Sequence, residues 1–176
     1  SRRVRFQSAK ITFRDAFRPF APAVWQERVA DYFDGRDQQP SPYMLLVAPV
    51  QKSQRLPVEN GKLAGIDKLK QLRSVIPAVT HVDYSARIQT VDRDRHGRYY
   101  KLLKAFEQQT GSPVIINTSF NIRGEPIVCT PEQAYRCFLA TDMDVLVLAN
   151  AVLLKADQPK LKPEEVDRYL AQFQLD

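Results

Sequence analysis

Residues Val114, Ile115 and Ile116 form an apolar, β-branched run, and the chain then turns abruptly polar through Asn117, Thr118, Ser119 and Asn121. The run is too short for a helix and has the composition of a buried strand, so a strand is predicted here. Hydrogen-bonding side chains at the end of a buried strand are where open α/β sheets bind ligands. Gly124 and Pro126 then turn the chain. The same residues also suit a plain polar loop, in which Ser and Asn merely close turns.

Around this stretch, helix-period and strand-period segments interleave. A chain of 176 residues with 44% hydrophobic and 26% charged residues fits one domain with an ordinary core. No apolar run approaches a membrane span and no signal-peptide pattern opens the chain, so no membrane partner and a cytoplasmic setting are expected. Residue 1 is Ser, which suggests a processed chain or a piece of something longer. Cys129 and Cys137 make neither a metal-ligand spacing nor a disulfide framework, and small core residues are expected at both. The net charge of +6 favours an anionic partner (a nucleotide, a phosphate compound or nucleic acid) and equally suits a basic, solvated surface.

The densest cationic stretch is the N-terminal one, with Arg2, Arg3, Arg5, Lys10, Arg14 and Arg18 and no acid before Asp15. Pro19 and Pro22 exclude a helix interior there, and an extended segment would carry Arg14 and Arg18 to an anion. Arginine suits that task because its planar fork grips phosphate through two parallel hydrogen bonds. Phe13, Phe17 and Phe20 read as core. Trp25, Val29, Tyr32 and Phe33 recur at helical spacing, which predicts a helix over Val24–Phe33 ended by Gly35. Tyr43–Val47 reads as a strand. Pro49–Lys62 lacks periodicity and reads as a mobile loop, either a lid or without function. Ile66, Leu69 and Leu72 mark a short helix.

Val79–Gln89 is the second informative stretch. As one strand it would place His81, Asp83, Ser85, Arg87 and Gln89 on one face and Val82, Tyr84, Ala86 and Ile88 on the other. Such a polar face is either solvated or lines a site. No second histidine stands near His81 to suggest a metal site, and any metal ligand set stays unknown. Tyr99, Leu102, Leu103 and Phe106 predict an amphipathic helix closed by Gly111 and Pro113. Thr130, Pro131 and Gln133 spell a helix start, with Ala134, Cys137 and Phe138 as its buried face. Val145–Leu148 and Ala151–Leu154 predict a hairpin turned at Ala149-Asn150. Pro163 begins a last helix with Val166, Tyr169, Leu170 and Phe173 on one face. The whole predicts an α/β protein with a mixed sheet.

Three motifs occur in order: Phe17-Arg18-Pro19-Phe20-Ala21-Pro22; His81-Val82-Asp83 with Ala86-Arg87-Ile88-Gln89-Thr90-Val91; and Asn117-Thr118-Ser119-Phe120-Asn121 with Gly124-Glu125-Pro126-Ile127-Val128. Together they resemble the C-terminal domain of the O-carbamoyltransferases that carbamoylate nodulation factors, cephamycin and tobramycin. The resemblance runs from about Arg14 to Leu154 and is densest after Val79. It implies a YrdC-like twisted mixed sheet flanked by helices. It also implies formation of carbamoyl adenylate from carbamoyl phosphate and ATP, with magnesium. A sugar-kinase-like N-terminal domain of the same polypeptide, not contained in this sequence, would carry the carbamoyl group to an acceptor hydroxyl.

YrdC-like domains use a Lys-x-Arg pair and a Ser-x-Asn pair around the carbamoyl and phosphate groups. Ser119 and Asn121 match the second pair and Arg14 the arginine of the first, whereas the lysine position is Thr12. Lys10 lies two residues earlier, on the same face of an extended segment, and could supply the charge. The family usually has Gly where this chain has Tyr84. The resemblance thus makes Arg14, Arg87, Ser119 and Asn121 candidate catalytic residues, and Lys10, Arg18, His81, Asn117 and Thr118 candidate substrate-binding residues. Glu125 could hold magnesium through water, with a local structural role the first expectation. Two readings from other classes compete: a basic RNA-binding module that stacks aromatics on bases, and a nucleotide-binding support domain without catalysis. Nucleic acid is not the expected partner, because the phenylalanines of the basic arm alternate with prolines and read as buried.

Overall fold

The computed structural model describes residues 20–34, 39–58 and 71–173. Lys10, Thr12, Phe13, Arg14, Phe17, Arg18, Gly35, Ile66 and Leu69 lie outside the described residues, as does the end of the expected 49–62 loop. The described residues divide into two units, one ending at Thr118 and the other beginning at Ser119. The expected mixed α/β class is observed.

In the first unit, β1 (Ala21–Trp25), β2 (Leu46–Pro49), β3 (Ser85–Val91) and β4 (Val114–Asn117) form a four-stranded sheet in the order β2-β3-β1-β4. β1 runs parallel to β3 and antiparallel to β4, and β2 runs antiparallel to β3. β1 is central and buried from Ala21 to Val24. Its parallel ladder with β3 begins at Ala23, so the missing N–H of Pro22 falls outside that ladder.

This strand corrects the helix predicted over Val24–Phe33. The helical spacing of Trp25, Val29, Tyr32 and Phe33 is real, but Val24 and Trp25 belong to the strand, Gln26–Arg28 form a 3-10 turn, and only α1 (Val29–Tyr32) is α-helical. Burial on both faces of β1, made possible by small alanines, overrides the helical period. β2 is likewise shifted: Met44 has a left-handed φ of 60°, and pairing starts only at Leu46. The expected loop after Pro49 contains a buried Val50 and a 3-10 turn at Lys52–Gln54, and Arg55 bridges to Ser74.

One face of the sheet, with Val24, Ala48, Ala86, Ile88 and Val114, packs with Val29, Phe33 and Val50. On the other face, α2 (Gly97–Thr110) buries Tyr100 and Leu103 against Ala23 and Val91. Leu102 and Phe106, expected on the buried stripe, are exposed, because the face set by Tyr100 and Leu103 meets the sheet. The anchor is Glu107, which accepts from the Trp25 indole at 2.9 Å and from Arg28 at 3.1 Å. Gly111 closes the helix in the left-handed conformation, as expected.

In the second unit, α3 (Pro131–Ala140) starts with the expected capping box of Thr130 and Gln133. β5 (Val145–Leu148) and β6 (Ala151–Leu154) form the expected hairpin, with Ala149 at φ 52° as the positive-φ turn residue. Leu146 packs with Ala134 and Phe138, whereas Val145, Val147, Val152 and Leu154 form an exposed outer face. Lys155 then caps α3: its ammonium donates to the carbonyls of Phe138, Leu139 and Thr141 and lies over the Phe138 ring. Burial holds its pKa below the usual lysine value. The last helix is α4 (Pro163–Ala171). No helix among the described residues is long and apolar enough to cross a membrane.

Candidate active site

The polar section of the first unit lies on the sheet face that α2 covers only in part. Along β3, Ala86, Ile88 and Thr90 are buried, Arg87 is exposed, and Ser85 and Gln89 are half-buried. The expected alternation therefore holds from Ser85 onward. It does not extend back to Val79, because the strand begins at Ser85 and His81–Tyr84 form a turn. Gln89 and Asn117 stand on strands separated by β1, where Ala23 is in register with Gln89 and Ala21 with Asn117. Two methyl groups leave room above β1, and the Asn117 amide donates to Gln89 Oε1. Gln89 in turn donates to the Pro42 carbonyl at 3.0 Å. These bonds fix both amide orientations and leave Asn117 its Oδ1 and a second amide proton to offer.

The turn before β3 makes a second cluster. The Ser85 hydroxyl donates to Asp83 Oδ1 at 2.7 Å, the Ser85 amide donates to the same oxygen at 2.9 Å, and His81 Nδ1 is 2.9 Å from Ser85 Oγ. The Ser85 hydroxyl, then its amide, hold the Asp83 carboxyl below the usual aspartate value. Tyr84 closes the turn at a left-handed φ of 65°, with Arg55 5.0 Å from its ring centre. Glycine adopts that conformation without a Cβ penalty, whereas tyrosine does not. Tyr84→Gly is expected to be more stable than Tyr84→Ala by about 1 kcal/mol, a difference that isolates the backbone penalty in paired denaturant titrations.

In the second unit, Ser119 donates to Asn121 Oδ1 at 2.6 Å, and Asn121 Nδ2 donates to the carbonyls of Ile122 and Glu125 at 3.1 and 2.7 Å. Glu125 Oε2 accepts from the Ile122 amide at 2.9 Å, and Oε1 accepts from the Tyr169 hydroxyl. Asn121 thus holds the loop together and orients Ser119, and Glu125 has the structural role expected first. Thr118 is exposed at the boundary between the units. The structure brings Asn117 to Gln89, and Ser119 to Asn121; Arg87 lies on β3 and His81 in the turn before it. Gln89, Ser85 and Asp83 were legible only as members of a polar face, whereas Tyr169 gave no local sign of its bond to Glu125.

Burial pushes the Cys137 thiol up to about 12, whereas Cys129, expected in the core as well, is exposed. At pH 8 a thiol reagent is expected to label Cys129 alone in the native chain and both cysteines after denaturation, read by mass spectrometry. The folded thiol keeps its proton up to about 12, whereas the ordinary thiol value is 9.0. Its contribution to stability is therefore complete below that ordinary value and is lost as pH rises toward the folded value.

The family described as carbamoyltransferase C-terminus matches residues 3–155. An uncharacterized protein of Synechocystis, sll1178, is 55% identical over 169 residues, 95% of this chain and 27% of that protein. Nodulation protein NolNO of Sinorhizobium fredii is 37% identical over 149 residues, 84% of this chain and 19% of NolNO. Nodulation protein NolO of Bradyrhizobium diazoefficiens is 33% identical over 149 residues, 84% of this chain and 24% of NolO. The chain therefore spans only 19% to 27% of the length of these relatives. With a match over most of its length, the chain belongs to the carbamoyltransferase C-terminus family.

Proposed function

We propose that this chain forms carbamoyl adenylate from carbamoyl phosphate and ATP, for transfer to a hydroxyl by an N-terminal domain of a longer polypeptide. The observation that carries the reading is Arg87, exposed on β3 within the family match, with Gln89 and Asn117 fixed by hydrogen bonds on the same unit. The balanced reaction consumes one water. Water cleaves carbamoyl phosphate to carbamate and phosphate, a carbamate oxygen attacks the α-phosphorus of ATP, and pyrophosphate leaves.

Little covalent chemistry falls to the protein, so positioning and charge stabilisation dominate. Arg14, Arg18 and Arg87 neutralise phosphate oxygens, with Lys10 in place of the family lysine. Ser119 binds the carbamoyl group or an α-phosphate oxygen, and Asn121 holds Ser119 in place. His81, Asn117 and Thr118 complete the substrate contacts. Among the described residues no cluster of three His, Cys, Asp or Glu side chains could hold a metal, and both Glu125 oxygens already accept hydrogen bonds. The described side chains do not form a magnesium cage. The free thiols of Cys129 and Cys137 suit a reducing cytoplasm.

Isotope exchange tests the reading. Labelled pyrophosphate is expected to enter ATP only when carbamoyl phosphate is present. Exchange that is absent, or indifferent to carbamoyl phosphate, contradicts it.

A further inference from the structure

The turn that precedes β3 contains a directional hydrogen-bond chain. Ser85 has one hydroxyl proton, and it goes to Asp83 Oδ1 at 2.7 Å. Toward His81 Nδ1, 2.9 Å away, Ser85 Oγ can therefore only accept. His81 must carry its proton on Nδ1, which leaves Nε2 of the neutral ring as a bare acceptor. The chain is locked at both ends. The Ser85 amide also donates to Asp83 Oδ1 at 2.9 Å, and the His81 amide donates to the Ser85 carbonyl at 2.7 Å. His81 is half-buried.

We propose that Asp83 and Ser85 are positioning residues that hold His81 in the Nδ1–H form, so that Nε2 reads the amino group of carbamoyl phosphate. The inference rests on the proposed function for its ligand. Phosphate and carbonyl oxygens are acceptors and gain nothing from a bare Nε2. The carbamoyl amino group is a donor, and acetyl phosphate carries a methyl group at the same place. One such contact lets the site favour a carbamoyl over an acetyl group, because the analogue leaves the acceptor unpaired.

The test has two readings on the intact chain. Nitrogen-15 spectra of the imidazole assign the tautomer without any ligand. The wild type is expected to show Nδ1–H and bare Nε2, Ser85→Thr to keep that form, and Ser85→Ala to give a mixture. Calorimetric titration then compares carbamoyl phosphate with acetyl phosphate. The preference for carbamoyl phosphate is expected to fall about tenfold in Ser85→Ala and to be retained in Ser85→Thr. An Nε2–H tautomer in the wild type overturns the inference, and needs no variant to fold. Equal affinity of the wild type for the two compounds, with the expected tautomer, overturns the donor reading alone. Failure to bind either overturns the proposed function along with it.

Discussion

Gly124→Ala is expected to destabilise the unit that begins at Ser119 by about 3 kcal/mol or more, combining a left-handed backbone penalty with overpacking. Gly124 has φ 81°, and a Cβ there would run into the backbone carbonyl oxygen of Phe173. That oxygen is not the far end of a flexible side chain, so relief requires the main chain to move. The same loop contains the Asn121 and Glu125 hydrogen bonds, and shifting it would also release Ser119. Two other glycines separate the causes. Gly111 has φ 74° with nothing within 4 Å of its virtual Cβ, so Gly111→Ala should cost about 1 kcal/mol for the backbone alone. Gly97 has open space and no such φ, so Gly97→Ala should be neutral or stabilising by about 0.5 kcal/mol. Urea titrations that placed Gly124→Ala beside Gly111→Ala would show the Phe173 contact to be yielding.

Arg87→Ala is expected to lower carbamoyl-phosphate-dependent pyrophosphate release about 10²–10³-fold, the usual cost of one well-placed donor at a developing charge. The loss should leave the fold intact. Arg87 is exposed, while the neighbours that hold β3 in the core, Ala86 and Ile88, are fully buried and unchanged. Unaltered denaturation with lost activity is the signature sought, and full activity in the variant would remove Arg87 from the site. Ser119→Ala should show a loss of activity as well, but with some loop destabilisation, because its hydroxyl also serves Asn121.

Local chemistry made much of this legible in the sequence. β4 and its polar end, the Thr130 capping box, the Ala149-Asn150 hairpin and the Gly111 stop each depend on neighbouring residues, and each is where the pattern placed it. β1 was hidden because Ala21-Pro22-Ala23 is a weak strand signal, whereas Trp25, Val29, Tyr32 and Phe33 fit a helix. Its strand state comes from burial between β3 and β4, which no local window contains. The start of β3 was misplaced because alternation continues back to Val79, while the left-handed Tyr84 ends it. In the candidate site, residue types were readable but bond directions were not. That Asn117 reaches Gln89 depends on two alanines of an intervening strand, and that Asn121 serves the loop depends on carbonyls, which no side-chain pattern records.

The most direct measurement is pyrophosphate release by this chain from ATP and magnesium, with and without carbamoyl phosphate, beside Arg87→Ala. Release that requires carbamoyl phosphate and falls with the variant is the predicted result. Binding of ATP by the folded chain with no release under either condition would contradict an adenylating domain and leave a nucleotide-binding support module in its place.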